Sequence, residues 1–255
     1  GVVKIFPGSP LAQKAMGAEV SVLTALGDDP SLPVPRFVGI GEYAHENGDL
    51  WHLLVMTRIE GSDWLSADPA KPEKRALAGA LGEVLKRVHA ITPEGPLADW
   101  PVDHWAVDRG AAMSSVPGRL AAQAADFVAE IATLPPDPVF VHGDLMALHV
   151  FVDGDTLTGI IDWGDALVAD RPYELAKLHL DLFEADKALL RRFLGAYGWP
   201  KDAAFAQRCL AQAFLRQAHC VAQHGRCDVF HKLPGLVAMD DLPDLNALAD
   251  RLFRV

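Results

Sequence analysis

Val141-His142-Gly143-Asp144-Leu145-Met146-Ala147-Leu148-His149-Val150 and Gly159-Ile160-Ile161-Asp162-Trp163-Gly164-Asp165-Ala166 each carry an aspartate directly after a short apolar run. Val139 to Val141 precedes the first, and Gly159-Ile160-Ile161 precedes the second. Short apolar runs bounded by glycine and turn residues read as buried strands. Between them, Val150 to Val152, the turn Asp153-Gly154-Asp155 and Leu157 to Ile161 read as a hairpin. Asp144 and Asp162, eighteen residues apart, then stand at the ends of adjacent hairpin-linked strands and converge on one point. Gly-Asp and Asp-Gly pairs are common in turns, so either aspartate alone says little. The ordered pair is far more specific. It suits phosphoryl transfer, in which one carboxylate orients a hydroxyl and takes its proton while the other holds Mg²⁺ against phosphates.

Working outward, Val2 to Phe6 is a β-like run with Lys4 inside it, broken by Pro7, Gly8 and Pro10. Leu11, Ala15, Ala18, Val22 and Leu26 recur at helical spacing up to the stop signal Gly27-Asp28-Asp29-Pro30. A lysine in an otherwise apolar strand wants a partner, and Glu19 lies on that following helix. Phe37 to Tyr43 and Leu50 to Ile59 read as strands joined by the turn His45 to Asp49. Beyond Glu60 the pattern is mostly helical. Pro72 to His89 and about Pro117 to Leu134 are helices, with Trp- and Pro-bearing loops from Pro93 to Trp105 between them. Helices resume after Arg171-Pro172. The expected class is α+β, with a small β-rich part over residues 1–60 and a larger helical part over residues 61–255 that contains the hairpin.

The 255 residues are half hydrophobic and 22% charged, which is globular composition. A formal net charge of −11 disfavours nucleic acid and anionic membranes as partners and suits a cationic small molecule. No apolar run approaches a membrane span, and no basic-then-apolar leader is visible. The three cysteines, Cys209, Cys220 and Cys227, do not form a disulfide framework and point to a reducing compartment. The expected location is cytoplasmic. His219, Cys220, His224, Cys227 and His231 match no standard zinc spacing.

The two aspartate segments resemble the catalytic and metal-binding loops of the aminoglycoside phosphotransferase family. Asp170-Arg171-Pro172-Tyr173-Glu174-Leu175-Ala176 resembles that family's segment after the metal aspartate. The resemblance runs from Lys4 to about Leu182 and loosens beyond. It implies a bilobal protein-kinase-like fold, ATP or GTP with Mg²⁺, and transfer of the γ-phosphate to a small-molecule alcohol. Asp144 matches the catalytic aspartate and Asp162 the metal aspartate. His149 stands five residues after Asp144, where the family usually has a metal-binding asparagine. Some members with 2″ specificity carry histidine there, so His149 is taken as a ligand. His142 matches a loop-supporting position. Lys4 and Glu19 resemble the phosphate-binding lysine and its helix partner. Met56 to Gly61 resembles the hinge, with the Thr57 carbonyl and Ile59 N–H holding the nucleobase.

By the same resemblance the acceptor lies in an acidic cleft. Asp165, Glu174, Asp181 and Asp228 are the candidates to receive a polycationic substrate. Asp170 is expected to cap the helix near Pro172. The glycine hairpin that covers phosphates in this fold does not precede Lys4, and the chain is read as N-terminally incomplete. Two alternatives stay open. One is a metabolic kinase of the same fold, of choline, methylthioribose, homoserine or macrolide type. The other is a degenerate kinase that only binds. The oligomeric state is not legible.

Overall fold

A computed structural model describes residues 1–44, 48–92 and 106–255. The turn expected at His45 to Asp49 falls partly, and the loops of Pro93 to Trp105 wholly, outside these residues.

Strand β1 (Val2–Phe6), helix α1 (Pro10–Gly27) and strands β2 (Phe37–Ala44) and β3 (Leu50–Met56) build a three-stranded antiparallel sheet of order β1-β3-β2 with one helix. Helix α1 starts where Ser9 accepts the Ala12 N–H and Pro10 occupies the first turn. Its last carbonyls are satisfied by Arg36, whose Nη1 donates to Leu26 O at 3.2 Å and Gly27 O at 3.1 Å. Strand β3 ends at Met56 rather than at Ile59: Thr57 N–H still donates to Arg36 O at 2.9 Å, but the return bond from Arg36 N–H goes to the Thr57 side-chain Oγ1 at 2.8 Å and the ladder stops there. Beyond that point Thr57, Arg58 and Ile59 line a cleft.

The rest is a helical body with two small sheets. Strand β4 (Ser62–Asp63) runs into α2 (Trp64–Ala67), followed by α3 (Lys71–Val88), α4 (Val107–Ala112), α5 (Gly118–Ala121) and α6 (Ala124–Ile131). The single helix expected over 117–134 is therefore two short ones. Strands β5 (Pro138–Val141), β6 (Val150–Asp153), β7 (Thr156–Ile160) and β8 (Leu167–Asp170) come next. After them come α7 (Leu175–Lys177), a π-helical turn over Leu178–Leu182, and α8 (Lys187–Tyr197), α9 (Phe205–His224), α10 (Leu233–Leu236) and α11 (Leu245–Phe253).

The sheet pairing differs from expectation. Strand β6 pairs with β7 and β4, while β5 pairs with β8, Val141 opposite Leu167. Asp144 and Asp162 therefore come after strands of two different sheets. They are joined through loops instead: the Ile161 N–H donates to His149 O at 2.9 Å. One core runs through both parts, and α9 is its central rod, with Leu210, Ala213 and Phe214 fully buried. Burying a leucine or phenylalanine contributes about 1.5–3 kcal/mol.

Asp170 does not cap a helix by its side chain. It receives the Asp137 N–H at 2.8 Å and Arg208 at 2.9 Å instead. The cysteines also differ. Cys220 and Cys227 form a disulfide with Cα atoms 5.6 Å apart, and only Cys209 is free, buried in the core. Their spacing is not two helical turns, because α9 stops at Gly225 (φ 69°) and the chain folds back over Cys220. With this bond formed, unpaired thiols no longer point to a reducing compartment. Among the described residues no helix is long and apolar enough to cross a membrane.

His179, in the π-helical turn, is fully buried and donates Nε2–H to Leu252 O at 3.0 Å. Burial pushes its imidazole down from 6.5 to about 4. The unfolded chain binds a proton in that interval that the folded chain refuses. This contribution is complete above pH 6.5 and is lost as the pH falls to about 4, amounting to about 3 kcal/mol. Denaturant midpoints compared between neutral and acidic pH should fall less for His179→Gln than for the parent chain. Equal falls would remove His179 from the acid sensitivity.

Candidate active site

The antiparallel register sets Lys4 opposite Leu54, and Leu54 is fully buried. The lysine thus shares the inner face of the sheet, beside α1. There Nζ donates to Glu19 Oε2 and to Asp162 Oδ1, both at 2.6 Å. Burial opposes the Lys4 charge, but Glu19 and Asp162 outweigh it and raise its pKa. Burial raises the Glu19 carboxyl, with Lys4 offsetting part of the shift. Burial also works against ionised Asp162, yet the charge and hydrogen bond of Lys4 hold that carboxyl below its usual value. Asp162 has φ 64° and ψ 65°, a left-handed conformation that non-glycine residues adopt at a cost of about 1–3 kcal/mol. The conformation turns its carboxylate off the end of β7 toward Lys4. Above these groups opens a cleft of about 380 Å³, walled by Val2, Met56, Ile59, Phe151 and Ile161, with Lys4, Glu19 and Asp162 at its polar end. Thr57 and Ile59 both line it. Thr57 uses its Oγ1 to accept the Arg36 N–H at 2.8 Å. An apolar slot of this size with a charged end fits a nucleotide.

The loop after β5 is built around His142. Its backbone N–H donates to Glu174 Oε2 at 2.7 Å, and its ring Nε2–H to Ile161 O at 2.9 Å. Nδ1 then carries the lone pair, which accepts the Asp144 N–H at 3.2 Å. The ring lies 4.5 Å from that of buried Trp163, and burial lowers its pKa, as a neutral, accepting imidazole requires. Its expected supporting role fits this geometry. Gly143 has φ +81°, and a Cβ there would sit 2.5 Å from Asp165 O. Only glycine satisfies both conditions. On the other wall, a Cβ on Gly159 would meet Ile59 Cγ2 at 2.4 Å, so the cleft closes only over a bare backbone.

Asp144 Oδ1 accepts from Arg216 Nη2 at 2.9 Å, and Lys177 Nζ stands 3.8 Å away. Burial alone would raise its pKa. The charges of Arg216 and Lys177 overcome that and hold the carboxyl far below the usual range. His149 Nδ1 donates to the Asp144 carbonyl at 2.7 Å, since a carbonyl only accepts. Its Nε2 lone pair then faces Asp162 Oδ2 at 3.5 Å. The ring thus lies between the two aspartates, while the His149 backbone carbonyl, which accepts the Ile161 N–H at 2.9 Å, joins their loops.

The four acceptor-side carboxylates separate. Asp165 stays at the site: its Oδ2 receives Arg216 Nη2 at 2.6 Å, and its Oδ1 lies 3.5 Å from Gln223 Nε2. Glu174 is a correction. It is buried, bound to His142 N–H, and 3.3 Å from His89 Nε2, so it braces the loop from inside the core. Asp181 is another. It is buried and receives the Ala147 N–H at 3.0 Å. Asp228 receives Ser115 Oγ and, at 2.9 Å, the nearby Phe230 N–H, which fixes the loop after α9. Arg216 and Lys177 were not anticipated. Arg216 was detectable, because on α9 it falls in the stripe Cys209, Ala213, Arg216, Gln217, Cys220, all of it buried.

A sequence profile of the phosphotransferase enzyme family (APH) matches residues 2–210. The chain belongs to that family. An aminoglycoside 3′-phosphotransferase of Escherichia coli is 30% identical over 134 residues, 47% of this chain and 48% of that protein. A homoserine kinase of Pseudomonas aeruginosa is 30% identical over 177 residues, 61% of this chain and 55% of that protein. The chain therefore spans about half the length of these relatives. The structure of the GDP and kanamycin complex of APH(2″)-IIIa superposes with a TM-score of 0.63 at 20% identity, over 87% of this chain and 79% of that one. The fold is accordingly the bilobal, protein-kinase-like α+β fold.

Gly143→Ala should lower stability by about 2–4 kcal/mol, combining the left-handed penalty with the clash at Asp165 O. Thermal denaturation of the purified variant checks this. A change below about 0.5 kcal/mol would mean that the loop relaxes freely.

Proposed function

We propose that the chain transfers the γ-phosphoryl group of ATP or GTP, with Mg²⁺, to a hydroxyl of an aminoglycoside-like polycationic molecule, and so confers resistance to it. The observation that carries this is the convergence at the end of the cleft. Lys4 is held by Glu19 and Asp162, and the His149 carbonyl, accepting the Ile161 N–H, ties the end of the Asp162 strand to the Asp144 loop. In this reading residues 1–60 form the nucleotide-binding lobe and residues 61–255 the catalytic and acceptor-binding lobe.

Lys4 places positive charge where α- and β-phosphates lie. The Thr57 carbonyl and Ile59 N–H meet the nucleobase, and backbone contacts of this kind do not choose between adenine and guanine. Asp162 Oδ2 and His149 Nε2 are close enough to share one small cation. Among the described residues no cluster of three or more His, Cys, Asp or Glu side chains forms a closed metal cage. That fits Mg²⁺, which leans on waters and substrate phosphates, although imidazole is a less usual ligand for it. Bound there, Mg²⁺ supplies charge neutralisation between the phosphates. Asp144 has one oxygen engaged by Arg216 and keeps Oδ2 to receive the acceptor hydroxyl. Its depressed pKa makes it a weak base, so its contribution is to orient the hydroxyl and take the proton late.

A second reading, a metabolic kinase for a smaller alcohol, is favoured by one observation. Asp144 and Asp165 are already matched by Arg216 and Lys177, so the reaction centre itself is not an acidic funnel. The similarity to homoserine kinase supports the same alternative. A phosphorylation panel on the purified protein decides between them. Aminoglycoside turnover supports the first reading. Turnover of homoserine, choline, methylthioribose or a macrolide alone replaces it with the second.

Asp144→Asn should lower turnover at least about 100-fold while leaving nucleotide affinity unchanged. Nucleotide binding by the parent chain with no turnover on any acceptor would instead leave a binding module. Asp162→Asn should raise the Mg²⁺ concentration needed for half-maximal nucleotide binding. An unchanged Mg²⁺ dependence, read by calorimetry, would remove Asp162 as a ligand.

A further inference from the structure

We propose that Arg216 is a positioning residue that fixes the Asp144 carboxylate for transfer, with Asp165 as its anchor. The proposal rests on the phosphotransferase reading of the site.

One nitrogen, Nη2, serves both carboxylates, Asp144 Oδ1 at 2.9 Å and Asp165 Oδ2 at 2.6 Å. The guanidinium is 1% exposed. A buried guanidinium keeps its charge at any working pH, and its planar donors hold a fixed direction. Without it, the two carboxylates, only about one-fifth exposed, would face each other with Lys177 alone beside Asp144 to offset their charge. Lys177, 3.8 Å from the same Asp144 oxygen, adds charge but lies beyond hydrogen-bond reach. Direction therefore comes from Arg216 alone among the described residues.

The bridge also sets which oxygen reacts. Oδ1 is spent on Arg216, and His149 Nδ1 is spent on the Asp144 carbonyl. Oδ2 remains for the acceptor hydroxyl. Asp165 belongs to the segment just after the metal-site aspartate, whereas Asp144 belongs to the loop after β5. Arg216 thus makes the position of one loop depend on the other.

Its own support is rigid. The next residue, Gln217, is fully buried, donates Nε2 to Gly110 O at 3.0 Å and Cys227 O at 2.9 Å, and accepts the Val229 N–H at 2.8 Å. One turn on, Cys220 is bonded to Cys227. Helix α9 is therefore pinned just beyond the guanidinium. A misplacement of about 1 Å at a reacting group can cost about 100-fold in rate, so a support of this stiffness matters to kcat.

The test uses Arg216→Ala, Arg216→Lys, Asp165→Asn and the double variant Asp165→Asn/Arg216→Ala. Asp165→Asn keeps the arginine and so remains informative if Arg216→Ala does not fold. With whichever acceptor the parent chain turns over, kcat should fall about 100-fold in Arg216→Ala and Asp165→Asn, with nucleotide KM unchanged. Arg216→Lys should recover part of the loss. The double variant should be no slower than Arg216→Ala, because the two act as one unit. Additive losses, an unchanged kcat in Asp165→Asn, or parallel loss of nucleotide KM and kcat would each overturn the proposal. Crystal structures of the parent chain and Asp165→Asn give a readout independent of turnover. The Asp144 carboxylate should leave its parent position. If it stays within about 0.5 Å, the proposal falls. A parent chain inactive on every acceptor would sink the phosphotransferase reading, while the crystal comparison still decides the role of Arg216.

Discussion

Burying charge at the base of a cleft is the constraint on which the rest of the site depends. Glu19, Asp144, Asp162 and Asp165 are brought within a few residues' reach of one another. Each is stable there only because Lys4, Lys177 or Arg216 stands beside it. An unpaired carboxylate removed from water costs several kcal/mol. The cations therefore come from elements that cannot easily move: a sheet strand, a short helix packed in the core, and the central rod of the helical body. Fixed charges of this kind need no rearrangement when charge develops beside them.

The two aspartates and the Lys4–Glu19 pair were legible because each sits in a local pattern, a charge at the end of or inside an apolar strand. The fold class was legible for the same reason, since helical and strand periodicities segregate along the chain. The sheet pairing was not. Leu167–Asp170 is four residues long, and nothing local says that it, rather than the neighbouring hairpin, takes β5. Arg216 was missed for a related reason: its partners lie 72 and 51 residues away. Only the apolar stripe on α9 hinted that this arginine points inward. The hinge strand was overextended because an apolar run does not reveal where its ladder partner stops.

The acidic residues teach a different lesson. Asp165, Glu174, Asp181 and Asp228 look alike as letters, yet only the first shares Arg216 with Asp144. Glu174 and Asp181 each hold a backbone N–H of the loop that carries Asp144. They serve as rigid acceptors in the core. A carboxylate can satisfy donors that no backbone carbonyl reaches, and the loop, with its left-handed Gly143, has such donors to spare. Negative charge in the chain thus goes first to shaping the site, and what remains for a ligand is smaller than the net charge suggests.

The contact between Lys4 and Asp162 joins residues 158 positions apart. Closing so long a loop is slow, and its reward arrives only when both ends are already folded. The polar end of the cleft is therefore among the last parts to be assembled. During synthesis, β1 leaves the ribosome long before its partner aspartate exists. Until then Lys4 has only Glu19 for company. The charged end of the cleft is thus complete only late in the life of the nascent chain. A chain cut between these two points would carry half of a site on each piece and the function on neither.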